Sequence, residues 1–545
     1  MKRQLTGVVR RSILLVATSA TAAVLAVGVA GATAAGGAAP GSHPAPAGAA
    51  PLSQAAVINR WFSQPSARQG ELPAVIATLR AVASGAALRA TPGAAAGPLA
   101  AGVFNHDTVG LPQNEESVTV CGQTVLGGTN DFRTLLLTPP RDMGAGWHLS
   151  TDNGRTLRNE GLLPPVTIAG QPVPARGDPV DVAGQGCSLF AGSVGSTPDD
   201  RISAVVVYRS RPDTLASCAG GTAAACWPTR RAVATAGPPH FLDKEWMAVG
   251  PSGQAGEVVW VSFTDFILDA TGAPVSSGIK AVRCNPTLTS CTDPILVSGS
   301  DQQTTFSDVT VGPDGRTYLS WVQFLGPLET QRMVLKLRVA PPGSTQFGPA
   351  RIVATEPKPA VAFLHANSFR VQTIPKNDVK LVHGHPRVFV VWEGCRTSIH
   401  GVCEEPRINL ARSTDFGASW RRTVLSVGGD NYFPTISEDR GGAALAVAWY
   451  TNRHDRRFHS RQDVELASVD PGSGTVVNRQ RLTPVSNETE GDVVLHGLFI
   501  GDYFEVFARR GVAYVHYNAN YRLVRVVGQG IPVRQQDNYL TKAHL

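Results

Sequence analysis

From residue 114 onward the chain alternates apolar and polar positions. Val, Tyr, Phe and Trp fill every second place over short runs, and Gly-, Asp- and Asn-rich turns interrupt them often. Helical periodicity is poor across this stretch, so the pattern is that of half-buried β-strands. The runs also recur: NEESVTV (114–120), GDPVDVAG (177–184), DKEWMAVG (243–250), FSDVTVG (306–312), FRVQTIP (369–375), YFPTIS (432–437) and GDYFEVF (501–507). Aligned on Val118, Val180, Met247, Val309, Thr373, Thr435 and Phe504, they stand 62, 67, 62, 64, 62 and 69 residues apart. Each is followed by a turn and then a second strand, usually with an aromatic near its end, as in EVVWVSF (257–263), TYLSWVQF (317–324), RVFVVWEG (387–394), LAVAWY (445–450) and AYVHYN (513–518). A third strand, a hairpin and a fourth strand fill most of each repeat. This period predicts an all-β chain folded as a β-propeller, with four antiparallel strands per blade. One such sheet cannot bury both faces, whereas a ring of them can. Seven beats predict seven blades. The degenerate fifth motif and the short last one leave six as the alternative. A β-sandwich array would leave the shared opening of each repeat unexplained.

The first 110 residues read differently. Lys2, Arg3, Arg10 and Arg11 precede an uncharged run from Ser12 to Ala30, with Ala32-Thr33-Ala34 after it. Residues 1–34 are therefore expected to be a signal peptide, or an N-terminal anchor if uncleaved. Residues 35–110 read as an Ala/Gly/Pro-rich linker with a weakly helical segment at 53–84, where Leu72, Val75, Ile76, Leu79 and Val82 share a face. The propeller is assigned to 111–545. No later stretch is long and apolar enough to span a bilayer, so membrane contact is expected only through the leader.

The formal charge of +7 falls to +3 without the four basic residues of the leader. That gives little basis for a nucleic-acid partner. The eight cysteines fit an oxidising compartment, secreted or in the cell envelope. Cys218 and Cys226, Cys284 and Cys291, and Cys395 and Cys403 form close pairs in sequence, and Cys121 and Cys187 remain and could pair over a distance, although spacing alone does not fix the connectivity. Neither CxxC nor a Cys/His cluster at ligand spacing occurs, so disulfides are expected and no metal or cofactor is. The motifs of serine hydrolases, zinc proteases, P-loops and dinucleotide-binding folds are missing too. A monomer is expected.

The stretch ARSTDFGASW (411–420) follows the strand RINLARS and precedes WRRTVLS. It is thus the turn between the third and fourth strands of a blade. Gly417 supplies a positive φ without steric cost, Asp415 can accept bonds from its own turn, Ser413 can cap it, and Trp420 can cover the hairpin. The same spelling occurs as STDNGRTL (150–157), with Ser150, Asp152 and Gly154, and Leu157 in place of Trp. In two other repeats the turn contains CAGGTAAAC (218–226) or CNPTLTSC (284–291), where a short disulfide could replace the Asp-centred turn.

The spelling S-x-D-x-G-x-x-W resembles the Asp box, or BNR repeat, of the sialidase superfamily. GGTNDFR (127–133), DKEWMAVG, DNYFPTIS and FIGDYF (499–504) resemble strand phrases of secreted bacterial members, and the likeness runs over about residues 114–530. The resemblance implies an arginine triad for a substrate carboxylate, an Asp acid/base and a Tyr nucleophile activated by Glu. Propeller geometry puts the Asp boxes on one face, and the second-to-third and blade-to-blade loops on the other. On that loop face stand Asp131, Arg133, Asp265, Glu393, Tyr450, Arg453 and Tyr517 at strand ends. Glu115, Glu116, Asp178, Asp243, Glu245, Asp308, Asp430, Asp502 and Tyr503 stand at blade entries. The resemblance then suggests Asp131 as acid, Glu393 as activator, Tyr450 or Tyr517 as nucleophile, and Arg133 and Arg453 as clamp, with Asp178 and Asp265 as further ligand contacts. The family's Arg-Ile-Pro motif is missing from the first repeat, and TIP (373–375) carries Thr where Arg would stand. The expectation is a secreted or surface propeller that binds a glycan or surface partner through its loop face without sialidase activity. A sialidase-type glycoside hydrolase and a structural or adhesive envelope protein are the alternatives.

Overall fold

The alternating runs pair with their sequence neighbours, as short turns dictate. The computed structural model describes residues 102–545 apart from 106–110, 137–142, 198, 220–221, 254–255, 328–329, 361, 368, 400–401, 493, 496 and 526–531. The expected leader, the helical segment at 53–84 and most of the linker lie outside the described residues. Those described form five four-stranded antiparallel sheets, one eight-stranded sheet and two small hairpins. The eight-stranded sheet consists of two four-stranded meanders, joined only where Asp439 and Arg440 run parallel to Ala508 and Arg509.

The first strands of the successive meanders are Gln113–Cys121, Ala175–Ala183, His240–Pro251, Thr304–Val311, Lys376–Val382, Asn431–Arg440 and Glu505–Arg509. Each contacts the next, and the last contacts the first, so the arrangement is propeller-like. Apolar layers lie between neighbouring meanders. Val258, Trp260, Leu319 and Trp321 join the third to the fourth, and Phe389, Val391, Val447 and Trp449 join the fifth to the sixth. Full burial of each such side chain contributes roughly 1.5–3 kcal/mol, which a lone sheet could not obtain.

Two elements differ from the sequence reading. FRVQTIP is not the fifth opening strand, because that strand is Lys376–Val382 and begins after Pro375. Proline has no N–H to donate to a ladder, so the strand starts beyond it. The last repeat is short in sequence because its fourth strand comes from the other end of the chain. Gly102 faces Leu540 and Val103 faces Tyr539, inside the stretch read as linker. Two residues are too few to carry a periodic signal.

The four disulfides are Cys121–Cys187, Cys218–Cys226, Cys284–Cys291 and Cys395–Cys403. The second and third close third-to-fourth connections, although the former also holds two short helices, Pro212–Cys218 and Ala223–Cys226. Cys121–Cys187 ties the first meander to the second. Among the described residues no helix is long and apolar enough to cross a membrane.

Candidate functional site

The centre of the loop face is built by a repeated backbone irregularity. The ladder between first and second strands slips between Asn114 and Ser117, Gly177 and Val180, Asp243 and Trp246, Thr305 and Asp308, and Tyr432 and Thr435. The first residue of each extra pair has positive φ: Glu115 (59°), Asp178 (52°), Lys244 (55°), Phe306 (54°) and Phe433 (49°). Bulges re-aim side chains, and a non-glycine residue held at positive φ costs roughly 1–3 kcal/mol. Strain repeated at one level of the ring marks that level as a place to look for function.

Three of the re-aimed side chains are charged, and they meet. Lys244 Nζ lies 3.0 Å from Asp178 Oδ2 and 3.0 Å from Asp502 Oδ2. Arg370 grips Asp502 with both arms of its fork, Nε to Oδ1 at 2.9 Å and Nη2 to Oδ2 at 2.7 Å. Glu115 Oε1 accepts the Asp502 N–H at 3.0 Å, and Glu115 Oε2 accepts Asn130 Nδ2 at 2.8 Å. A Cβ at Gly501 would stand 2.9 Å from the Glu115 backbone nitrogen, so this approach requires glycine.

The electrostatics divide the carboxylates. Burial, reinforced by Asp178, pushes Glu115 well above the usual carboxylate range. Burial also works against ionised Asp502, but Arg370 and Lys244 outweigh it and hold that carboxyl below its ordinary value. Lys244 rises well above its usual range despite burial, because Asp178 and Asp502 face it. Glu116, Asp243 and Glu245 are buried beside the cluster and are raised by desolvation. Asp178 and Asp502 thus face Lys244 and Arg370, and Glu115, whose charged form burial disfavours, lies against the same group.

Aromatic rings close the ring beneath the cluster. Tyr503 donates its hydroxyl hydrogen bond to Pro179 O at 2.8 Å and meets Trp246 edge-on at 5.2 Å. Lys376 Nζ sits 2.6 Å from the Trp246 ring centroid. Beyond this plug lies a cavity of about 400 Å³ lined by all seven first strands, among them Val118, Asp181, Trp246, Asp308, Lys376, Thr435 and Glu505. Burial raises Asp181 and Asp308 to about 7 and Glu505 to about 8. Burial also lowers Lys376 to about 7, against the pull of Asp308 and Glu505.

The residues named from sequence fall in several places. Asp178 joins the central cluster. Asp131 is fully buried and is held by Arg133 and by Gln113 Nε2 at 2.9 Å. Glu393 is buried against Lys358. It also lies near Cys395 and Cys403, but those sulfurs are joined as a disulfide and offer no thiolate to a metal. Tyr450 and Tyr517 are both 0% exposed. The Tyr450 hydroxyl accepts the Asn518 N–H at 3.1 Å, and that of Tyr517 meets Thr541 Oγ1 at 3.3 Å. Burial first, then Glu116, keeps the Tyr450 phenol well above its usual range, and burial raises Tyr517 too. Asp265 pairs with His240 and Lys280. Arg453 pairs with Glu465 in the sixth meander, while Arg133 serves the first. These groups do not assemble around one anion.

The Asp-centred turns are self-contained. Ser413 Oγ donates to Asp415 Oδ1 at 2.7 Å, the Gly417 N–H donates to Ser413 Oγ at 2.7 Å, and the Ser419 N–H and hydroxyl donate to Asp415 at 2.9 and 2.6 Å. Asp152 is held in the same way by Ser150 and by Thr156, its Oδ1 accepting the Thr156 N–H at 2.8 Å. Gly417 sits at φ 85° and Gly154 at 77°. The Ser419 hydroxyl, with Ser413, lowers Asp415 to about 2, and Thr156 lowers Asp152 further still.

Sequence reasoning missed Lys244, Arg370 and Lys376. Arg370 lies in the degenerate fifth motif, so the breakdown of the repeat there was itself a signal. The hydroxyls of Thr156 and Ser419, two residues after each box glycine, were a second one.

The fold and the site define an all-β, propeller-like ring with a charged centre. No protein-family description matches the chain, and no curated protein matches it in sequence. Solved structures of similar arrangement include the endosialidase of phage phi92, with 12% identity, 81% of this chain and 69% of that one covered, and a TM-score of 0.41. Another is an α-L-arabinofuranosidase of Fusarium graminearum, with 9% identity, 79% and 92% covered, and a TM-score of 0.39. A third is an endo-arabinase of Bacteroides thetaiotaomicron, with 11% identity, 69% and 94% covered, and a TM-score of 0.30.

Proposed function

We propose that the chain is an exported, monomeric propeller of seven blades that binds a glycan or another surface ligand at the centre of its loop face, without tyrosine-dependent sialidase activity. The carrying observation is the cluster of Glu115, Asp178, Lys244, Arg370 and Asp502, which three strained bulges and two loops bring together from separate meanders. Arg370 keeps 26% of its side chain exposed and lies 4.9 Å over the Phe499 ring, so a polar ligand can reach it. The seven first strands in one closed series support the blade count, and four disulfides support export. Burial of both tyrosines weighs against a sialidase-type nucleophile. The test is calorimetric titration of the purified chain with neutral, uronate-bearing and sialylated oligosaccharides, alongside a fluorogenic sialoside assay. Arg370→Met should abolish binding, and no sialoside should turn over. Turnover that Tyr450→Phe or Tyr517→Phe abolishes would sink the reading.

One observation favours a second reading. Glu115 is raised and Asp502 is lowered within the same cluster, and two carboxyl groups pushed apart in this way are what an acid and its ionised partner in glycoside hydrolysis require. Release of reducing ends from a neutral glycan, lost in Glu115→Gln, would favour it over binding alone.

A further inference from the structure

The opposite face of the ring carries three arginines whose charge the fold offsets only in part. Arg412 and Arg421 stand directly opposite each other on the antiparallel strands Arg407–Ser413 and Arg421–Val424. Arg412 also faces Phe389, and Arg387 lies two residues before Phe389, so the pleat puts Arg387 on the same side of the sheet. Like charges set directly across a strand pair are destabilising. The three arginines line a groove of about 330 Å³ together with Thr414, Ser419 and Gly472, beside the Asp-centred turn.

Local partners account for only part of this charge. Arg387 Nη1 donates to Gly472 O at 2.7 Å and to Pro471 O at 3.2 Å, and Arg412 Nη1 also donates to Gly472 O. These are carbonyls and carry no charge. Arg412 Nε is buried without a hydrogen-bond partner. The Arg421 side chain is exposed and has no ion pair or hydrogen bond among the described residues. Asp470 offsets part of the charge while also accepting the Ser473 N–H and hydroxyl, and Asp415 accepts Ser413 and Ser419. Burial lowers Arg412, and Arg421 and Arg387 lower it further, with only Asp470 opposing them.

We infer that this groove binds a tetrahedral oxyanion, a sulfate or phosphate ester group. Three guanidinium groups that line one groove with the Thr414 hydroxyl supply more donors than a planar carboxylate can accept, and a dianion matches the excess positive charge. The site is on the face away from the loop-face cluster and does not depend on the function proposed for that cluster.

The experiment is calorimetric titration of the full chain with glucose 6-sulfate, glucose 6-phosphate and, for comparison, glucuronate. Saturable binding of an ester, stronger than glucuronate, is expected, and the tighter ester identifies the source. Arg421→Gln should weaken that binding roughly tenfold, the loss of a charged hydrogen-bonding group. It should also raise the melting temperature in anion-free buffer, because it removes the repulsion facing Arg412. That rise separates the proposal from a fold defect. Sulfate stabilises proteins generally, so the ester-dependent shift must be larger in the wild type than in the variant. No saturable binding of either ester, unchanged binding by Arg421→Gln, or a lowered melting temperature in that variant would each overturn the inference.

Discussion

The Asp-centred outer turns and the centre of the loop face both depend on carboxylates, but they hold them in opposite ways. Asp415 finds all its partners within four residues of itself, near solvent, and its acidity is enhanced. Asp502 finds its partners 132 and 258 positions away in sequence, through Arg370 and Lys244, in the interior. Local satisfaction makes a turn that is stable wherever it is placed. Satisfaction across the ring makes a group whose removal is felt by several meanders at once. The first is architecture; the second couples architecture to any ligand that touches Arg370.

The sharpest way to break the comparison is Asp502→Asn. It removes the carboxylate that Lys244 and Arg370 share, leaving Arg370 without its ion pair and buried Lys244 with Asp178 alone. Breaking a buried pair from one side costs roughly 3–5 kcal/mol. A urea melt of the full chain should show that loss, and Lys244→Met should show a similar one. A loss below about 1 kcal/mol would mean that the cluster is held from outside rather than by its own charges.

The contrast also explains what the sequence could convey. The Asp-centred turns were legible because Ser413, Asp415 and Gly417 are neighbours in the chain, and a local pattern implies a local structure. The strand repeats were legible for the same reason. Arg370 and Lys244 were not, because nothing near either residue records that they meet on Asp502. The burial of Tyr450 was equally hidden. An aromatic at the end of a strand reads the same whether it faces a pocket or, as here, packs 4.3 Å from Phe504. Gly102–Val103 escaped because a two-residue strand has no period, and its partner lies at the far end of the chain.

A smaller effect is expected at the turn itself. Asp415→Ala removes bonds to the Ser419 N–H and two hydroxyls, all near water, and should cost about 1 kcal/mol while leaving loop-face binding unchanged. The pH dependence gives the second readout. The carboxyl falls from about 3.9 in the unfolded chain to about 2 in the fold. Its contribution is therefore fully present above the unfolded value and is lost as pH falls through the folded one. The difference in melting temperature between wild type and Asp415→Ala should be constant above about pH 5 and shrink towards zero near pH 2. A constant gap down to that pH would show that Asp415 holds the turn without the help of its charge.

The smallest effect is expected from Glu115→Gln, although Glu115 sits at the heart of the cluster. Burial and Asp178 push its pKa well above the usual carboxylate range and so disfavour its charged form, and the amide is a neutral group of nearly the same shape. The amide oxygen can still accept the Asp502 N–H, and the amide N–H supplies a donor beside Asp178. The bond from Asn130 Nδ2 is lost, but that group keeps Asn114 Oδ1 at 3.1 Å. The stability change at pH 7 should stay within about 1 kcal/mol. Wild type should lose stability relative to the variant as pH rises, because a group raised in the fold stabilises fully below its unfolded value and ceases to do so as pH climbs through the folded one. A large loss at neutral pH, of the size expected for Asp502→Asn, would mean that Glu115 is ionised in the fold, and that the centre of the loop face carries one more negative charge than its two cations can balance.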